Sequence, residues 1–161
     1  MGSAYPARMA AKLGLDFAPN NQRVYDIFRE ECLKRGRPDP GPRPTVGPHF
    51  LYVTEDPEKA WAELGSHIVE NAQMYAGFLA GTGTGANVDV PDITLEGLRK
   101  SDSHIIATPE QCIDILNGLD GDVCFRNHAM PAGMDPERVW ESLELFKAKV
   151  MPHLDLAAPV S

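Results

Sequence analysis

The sequence predicts an α/β fold in which short parallel strands lie beneath helices, and three observations carry that reading. Helix starts of one chemical type recur at Asp56-Pro57-Glu58, Thr108-Pro109-Glu110 and Asp135-Pro136-Glu137. Short runs rich in β-branched and aromatic residues, HFLYVT at 49–54 and DVCFR at 122–126, have the composition of strands. Helical and strand-type segments alternate along the chain, as they do where strands are buried under crossover helices.

The elements follow in order. Ser3 is placed to cap a short helix over Tyr5 to Leu13, and Leu15 to Ala18 reads as a first strand. Val24, Ile27 and Phe28 share one face of a helix over Gln22 to Lys34, which stops before Gly36 and a Pro-rich link over 38–44. The strand His49 to Thr54 comes next. In each of the three later helix starts, a capping side chain precedes a proline at the first helical position. An acid then stands where the helix dipole favours negative charge. Thr108 with Gln111 also fits a reciprocal capping box. Helical spacing continues through Trp61, Leu64, Ile68, Ala72, Tyr75 and Leu79, through Cys112, Ile115, Leu116 and Leu119, and through Val139, Leu143, Phe146 and Val150. Ile105 and Ile106 suggest a further short strand, and 81–103 reads as a mobile loop.

With 161 residues, 43% of them hydrophobic, the chain suits a single domain over 1–161. Residues 1–44 hold eight Lys or Arg against five Asp or Glu, a net +3, while 45–161 hold seven against eighteen, a net −11. An acidic chain without a basic stripe interleaved with aromatics argues against nucleic acid as a partner. No apolar run approaches the roughly 20 residues that span a bilayer, and the first residues lack a secretory pattern, so no membrane partner and a cytoplasmic home are expected. Cys32, Cys112 and Cys124 are odd in number and widely spaced, which suits reduced core thiols.

Several features resemble sites. Gly81-Thr82-Gly83-Thr84-Gly85 follows a helix rather than a strand and lacks a GK[ST] ending, so it meets neither phosphate-loop fingerprint. The five histidines never fall at the two-His helical spacing of zinc proteases, and no metal site is expected. Ser3 has no GxSxG context. If 122–126 is a barrel strand, Arg126, Asn127 and His128 stand at its carboxyl end, where α/β barrels place their chemistry, and Arg126 and His128 are candidate substrate-binding residues; ordinary polar loop residues are the alternative reading. Gly2 and Ser3, just before a helix, offer backbone N–H groups and the positive end of a dipole, which suit a phosphate, although plain capping explains Ser3 equally well.

The string ATPEQCIDILNGLDGDVCFRNHAMPAGMDPERVWESLELFKAKVMPHL, residues 107–154, resembles the closing segment of the luciferase-like monooxygenase family. Residues 49–80, HFLYVTEDPEKAWAELGSHIVENAQMYAGFLA, resemble the strand and long helix that precede it there. The resemblance implies a TIM-type (β/α)8 barrel of which this chain holds the C-terminal strand-helix units. It also implies FMN or a deazaflavin coenzyme, and a small-molecule substrate. In the family a Gly-Gly-Ser or similar turn lies near the cofactor phosphate; the matching residues here are Gly2 and Ser3, with Met1 where the first glycine would be.

A whole barrel takes about 250 residues, so activity is expected to need a homodimer or a chain supplying the other barrel half. Exposed strand edges are expected as well. Two readings stay open: an enzyme part active with a partner, and a non-catalytic flavin-binding or protein-interaction remnant.

Overall fold

A computed structural model describes residues 4–19, 22–82, 92–120, 123–124 and 133–155, with backbone alone for Val46, Val123, Cys124 and 78–82. Its elements are α1 (Ala4–Leu13), α2 (Gln22–Lys34), β1 (Thr45–Val46), β2 (Phe50–Val53), α3 (Pro57–Thr82), α4 (Leu95–Arg99), β3 (His104–Ala107), α5 (Pro109–Asn117), β4 (Val123–Cys124) and α6 (Pro136–Leu145). The helix continues past α6 as a wider, π-type turn over Phe146–Val150 and tightens to a 3₁₀ turn over Met151–His153. The architecture is a mixed, helix-rich α/β fold. None of the described helices is long and apolar enough to cross a membrane.

Among the described residues two parallel strand pairs form, β2 with β3 and β1 with β4. In the first pair Phe50 lies opposite His104 and Val53 opposite Ala107. All four residues of β2 are buried, the pattern of a parallel strand covered on both faces. Alternation then divides the neighbours. Phe50, Tyr52 and Ile106 join Trp61, Leu64 and Ile68 of α3, Leu98 of α4, and Val139 of α6 in one core. Leu51, Val53 and Ala107 join Cys112 and Leu116 of α5, with Phe146 and Val150, in another. The β2–β3 pair therefore separates two helical layers.

The local signals explain the helices. Thr108 accepts from the Gln111 N–H while the Gln111 side chain accepts from the Thr108 N–H, completing the capping box. Asp135 caps α6 by accepting from the Glu137 N–H, and Asp56 accepts from the Lys59 N–H at the start of α3. Within 81–103, α4 forms where Thr94 accepts from the Gly97 N–H.

Leu15 to Ala18 does not form the expected strand. Gly14 adopts φ +79°, the Leu15 N–H closes back onto the Ala10 carbonyl, and Phe17 packs on Phe28 with ring centroids 5.4 Å apart. Phe17 thus packs on the α1–α2 pair while Leu15 stays exposed, and the core of that pair, Ala7, Ala10, Ala11, Tyr25, Phe28 and Cys32, is separate from the other two. The Pro-rich link is tied to α2 by a two-bonded Arg29–Asp39 ion pair and by Tyr25, which donates to the Pro42 carbonyl at 3.1 Å.

The outer edge of β2 also departs from expectation. Phe50 and Thr54 donate across to Ser103 and Ala107, so the alternate N–H of Val53 faces the other way. It donates to Ser142 Oγ of α6 at 2.8 Å, and Tyr52 Oη donates to the Arg138 carbonyl at 3.2 Å. A helix, rather than solvent, covers this edge at its carboxyl half.

Candidate functional site

In parallel α/β proteins chemistry gathers at the carboxyl ends of strands. Here the carboxyl end of β2 leads to Thr54 and Asp56, and that of β3 leads to Thr108. Asp56 and Thr108 are committed to caps, and Thr54 Oγ1 accepts from the Asp56 N–H. Beyond β4 the candidates Arg126 and His128, with Asn127, lie outside the described residues, as do Gly2 and Ser3 and the Gly83-Thr84-Gly85 part of the glycine-rich segment. Gly81 and Thr82 belong to the last turn of α3. The two candidate pairs are therefore not brought together on any described surface.

The described residues form a cleft of about 530 Å³ between α3 and Ile93–Leu95. Its walls are mainly apolar, with Trp61, Val69, Ile93 and Leu95, and Glu70 supplies a carboxylate. Gln73 Nε2 donates to the Ile93 carbonyl at 3.2 Å and holds one wall in place. The Arg99 guanidinium sits 5.6 Å from the Trp61 ring centroid and pairs with Glu58. This volume falls within the few hundred cubic ångströms typical of small-molecule sites.

A second cluster lies at the opposite, amino end of the β2–β3 pair. The rings of His49 and His104 are 5.9 Å apart at their centroids. His104 is buried, and Ser103 Oγ stands 2.8 Å from its Nδ1. Burial, reinforced by His49, pushes the imidazole down to about 4, so it is neutral at pH 7. A hydroxyl beside an imidazole suggests a nucleophile and its base, but a triad needs a carboxylate to orient the ring. Among the described residues no carboxylate reaches it, and no group of three metal-ligating side chains forms.

Sequence reasoning missed this cluster because the two histidines lie on separate strands and meet only through the parallel register. Ser142 was equally unmarked, although it stands among Val139, Leu143 and Phe146 on the apolar face of its helix. The cysteines follow the expected reading as far as they are described: Cys32 and Cys112 are unbridged and buried. No protein-family model matches the chain, and no curated protein matches it either.

Proposed function

We propose that this chain is the C-terminal portion of a luciferase-like, flavin- or deazaflavin-dependent monooxygenase or oxidoreductase, a part of a TIM-type barrel that acts with a chain supplying the remaining strands. The observation that carries the proposal is the in-register parallel pairing of β2 with β3, joined through the long α3, with every residue of β2 buried. It supports the strand-helix-strand order that the resemblance of 49–80 and 107–154 implies. For the cofactor, Gly2 and Ser3 would hold the phosphate. The first turn of α1, which follows them, carries no acidic side chain to repel it, and Arg8 lies one turn further on. Bound flavin would supply the redox chemistry, and Arg126 and His128 would face a small-molecule substrate.

The covered edge of β2 favours a second reading, the non-catalytic flavin-binding or interaction module. With β3 on one side and its outer Val53 N–H already bonded to Ser142, β2 needs no further strand at that edge. Titration of the purified chain with FMN tests the cofactor, following quenching of the flavin and of buried Trp61 and exposed Trp140. Saturation in the micromolar range is expected. A folded chain that leaves FMN and a deazaflavin coenzyme unbound overturns the cofactor in both readings. Binding without turnover after addition of a complementary barrel half selects the second.

A further inference from the structure

We propose that the amino end of the β2–β3 pair is a proton-operated switch: in acid, His49 and His104 move apart and the strands part there, while their carboxyl ends stay paired. The geometry is specific to that end. The His104 side chain is inside the protein, 5% exposed, between the His49 ring at 5.9 Å and the Phe50 ring at 6.2 Å. Ser103, which contacts its Nδ1, can donate to or accept from a neutral ring, and also contacts Ser101 Oγ at 3.1 Å.

Ser103 can accept from a charged ring as well, but among the described residues no carboxylate offsets its charge. Among the described residues β3 packs against β2, α3, α4 and α5, and shares its cores with Val139 of α6 and with Phe146 and Val150 of the turn after it. From β2's side His49 acts on His104, and its charge opposes a second one; among the described residues of α3, α4, α5, α6 and the turn after α6, no charged side chain does so. Glu58 and Arg99 of α3 and α4 are committed to each other, and Glu96 and Lys100 likewise. A proton on His104 therefore brings a charge without a carboxylate partner among the described residues into a buried site beside a second imidazole, and hydration through local opening relieves it.

The opening is confined because the two ends are held differently. At the amino end the ladder bond is Phe50 N–H to the Ser103 carbonyl, 2.9 Å, next to the imidazoles. At the carboxyl end Thr54 donates to Ala107 at 3.0 Å, Ser142 accepts from Val53, and the α5 capping box follows immediately. None of those bonds involves a histidine.

The sign follows from linkage. His104 titrates at about 4 when closed, against an ordinary 6.5, so the open form binds more protons throughout that window. The closed form is fully favoured above about pH 6.5 and loses ground as pH falls toward 4, by roughly two orders of magnitude in the opening constant.

Amide hydrogen exchange on the full chain at pH 7 and pH 4.5, corrected for intrinsic rates, reads the switch. Phe50 is expected to lose at least tenfold in protection at pH 4.5 while Thr54 keeps its own. His104→Gln should hold Phe50 protected at pH 4.5. His49→Gln, at a half-buried position, should move the acid opening to lower pH and decides the matter if the first variant does not fold. The proposal is overturned if Phe50 and Thr54 lose protection together, if Phe50 stays protected in the parent chain, or if the substitutions leave the pH dependence as it was.

Discussion

Ser142→Ala removes one oxygen from a side chain that is 2% exposed, and with it the acceptor of the Val53 N–H. Val53 itself is 1% exposed, so water does not replace the lost partner without disturbing the packing. The alanine fits the space and leaves little cavity; the cost is that of a buried, unsatisfied backbone donor, about 1–3 kcal/mol. For a chain of this size each kcal/mol lowers the thermal midpoint by roughly 2–4 °C, giving a fall of about 2–12 °C. Urea unfolding and calorimetry measure the loss, and exchange of the Val53 amide locates it. Glu144→Ala, an exposed change on the same helix, is the control and should stay within about 0.5 kcal/mol of the parent. If Ser142→Ala matches that control and the Val53 amide exchanges no faster, α6 is not the cover of this strand edge.

Thr108→Ala dissolves the capping box at α5 and is expected to cost about 1 kcal/mol in the same unfolding assay, whereas Thr108→Ser retains most of it. Gly133 adopts φ +86°, and an added Cβ would stand 2.9 Å from His67 Nδ1, so Gly133→Ala should destabilise by about 1–3 kcal/mol, with loss of less than 0.5 refuting the strain. Burial pushes the Cys112 thiol up to about 11, so at pH 8 iodoacetamide should label it only under denaturing conditions; rapid labelling of the native chain at this residue would contradict its burial.

Much of the helical framework was legible because its determinants are local. Pro57, Pro109 and Pro136 with their caps mark helix starts without reference to anything distant, and Trp61, Leu64, Ile68 and Ala72 fall on the buried side as their spacing implies. Tyr75, in the same stripe, is 43% exposed, because the apolar periodicity of α3 runs on past the layer it covers. Strand pairing was less legible. Leu15 to Ala18 has the composition of a strand, but Phe17 found Phe28 first, whereas Thr45–Val46 is too short to stand out and pairs with β4. The α4 signal, Thr94 three residues before Gly97, sat in a segment read as loop. At the sites, proximity of His49 to His104 is a property of register, and register between parallel strands is set by the packing of both faces rather than by either strand alone.

The cover on β2 bears directly on how a barrel could be completed. A further strand on that side would need the N–H that Ser142 now holds, and would need α6 to withdraw Ser142 and the Arg138 carbonyl that binds Tyr52. Association is then a competition between two ways of satisfying one strand edge, and its strength is the difference between them. Weakening the cover should therefore strengthen assembly. Under the barrel proposal, Ser142→Ala lowers the stability of the isolated chain and yet raises its affinity for a complementary half, by up to the roughly 5- to 150-fold that about 1–3 kcal/mol allows. Sedimentation of the parent and variant chains with that half distinguishes the cases. Tighter assembly by the less stable variant identifies the β2 edge as the joining surface. Unchanged affinity, with the Val53 amide exposed in the variant, means that the helix covers β2 permanently and that the chain is built to stand without a neighbouring strand.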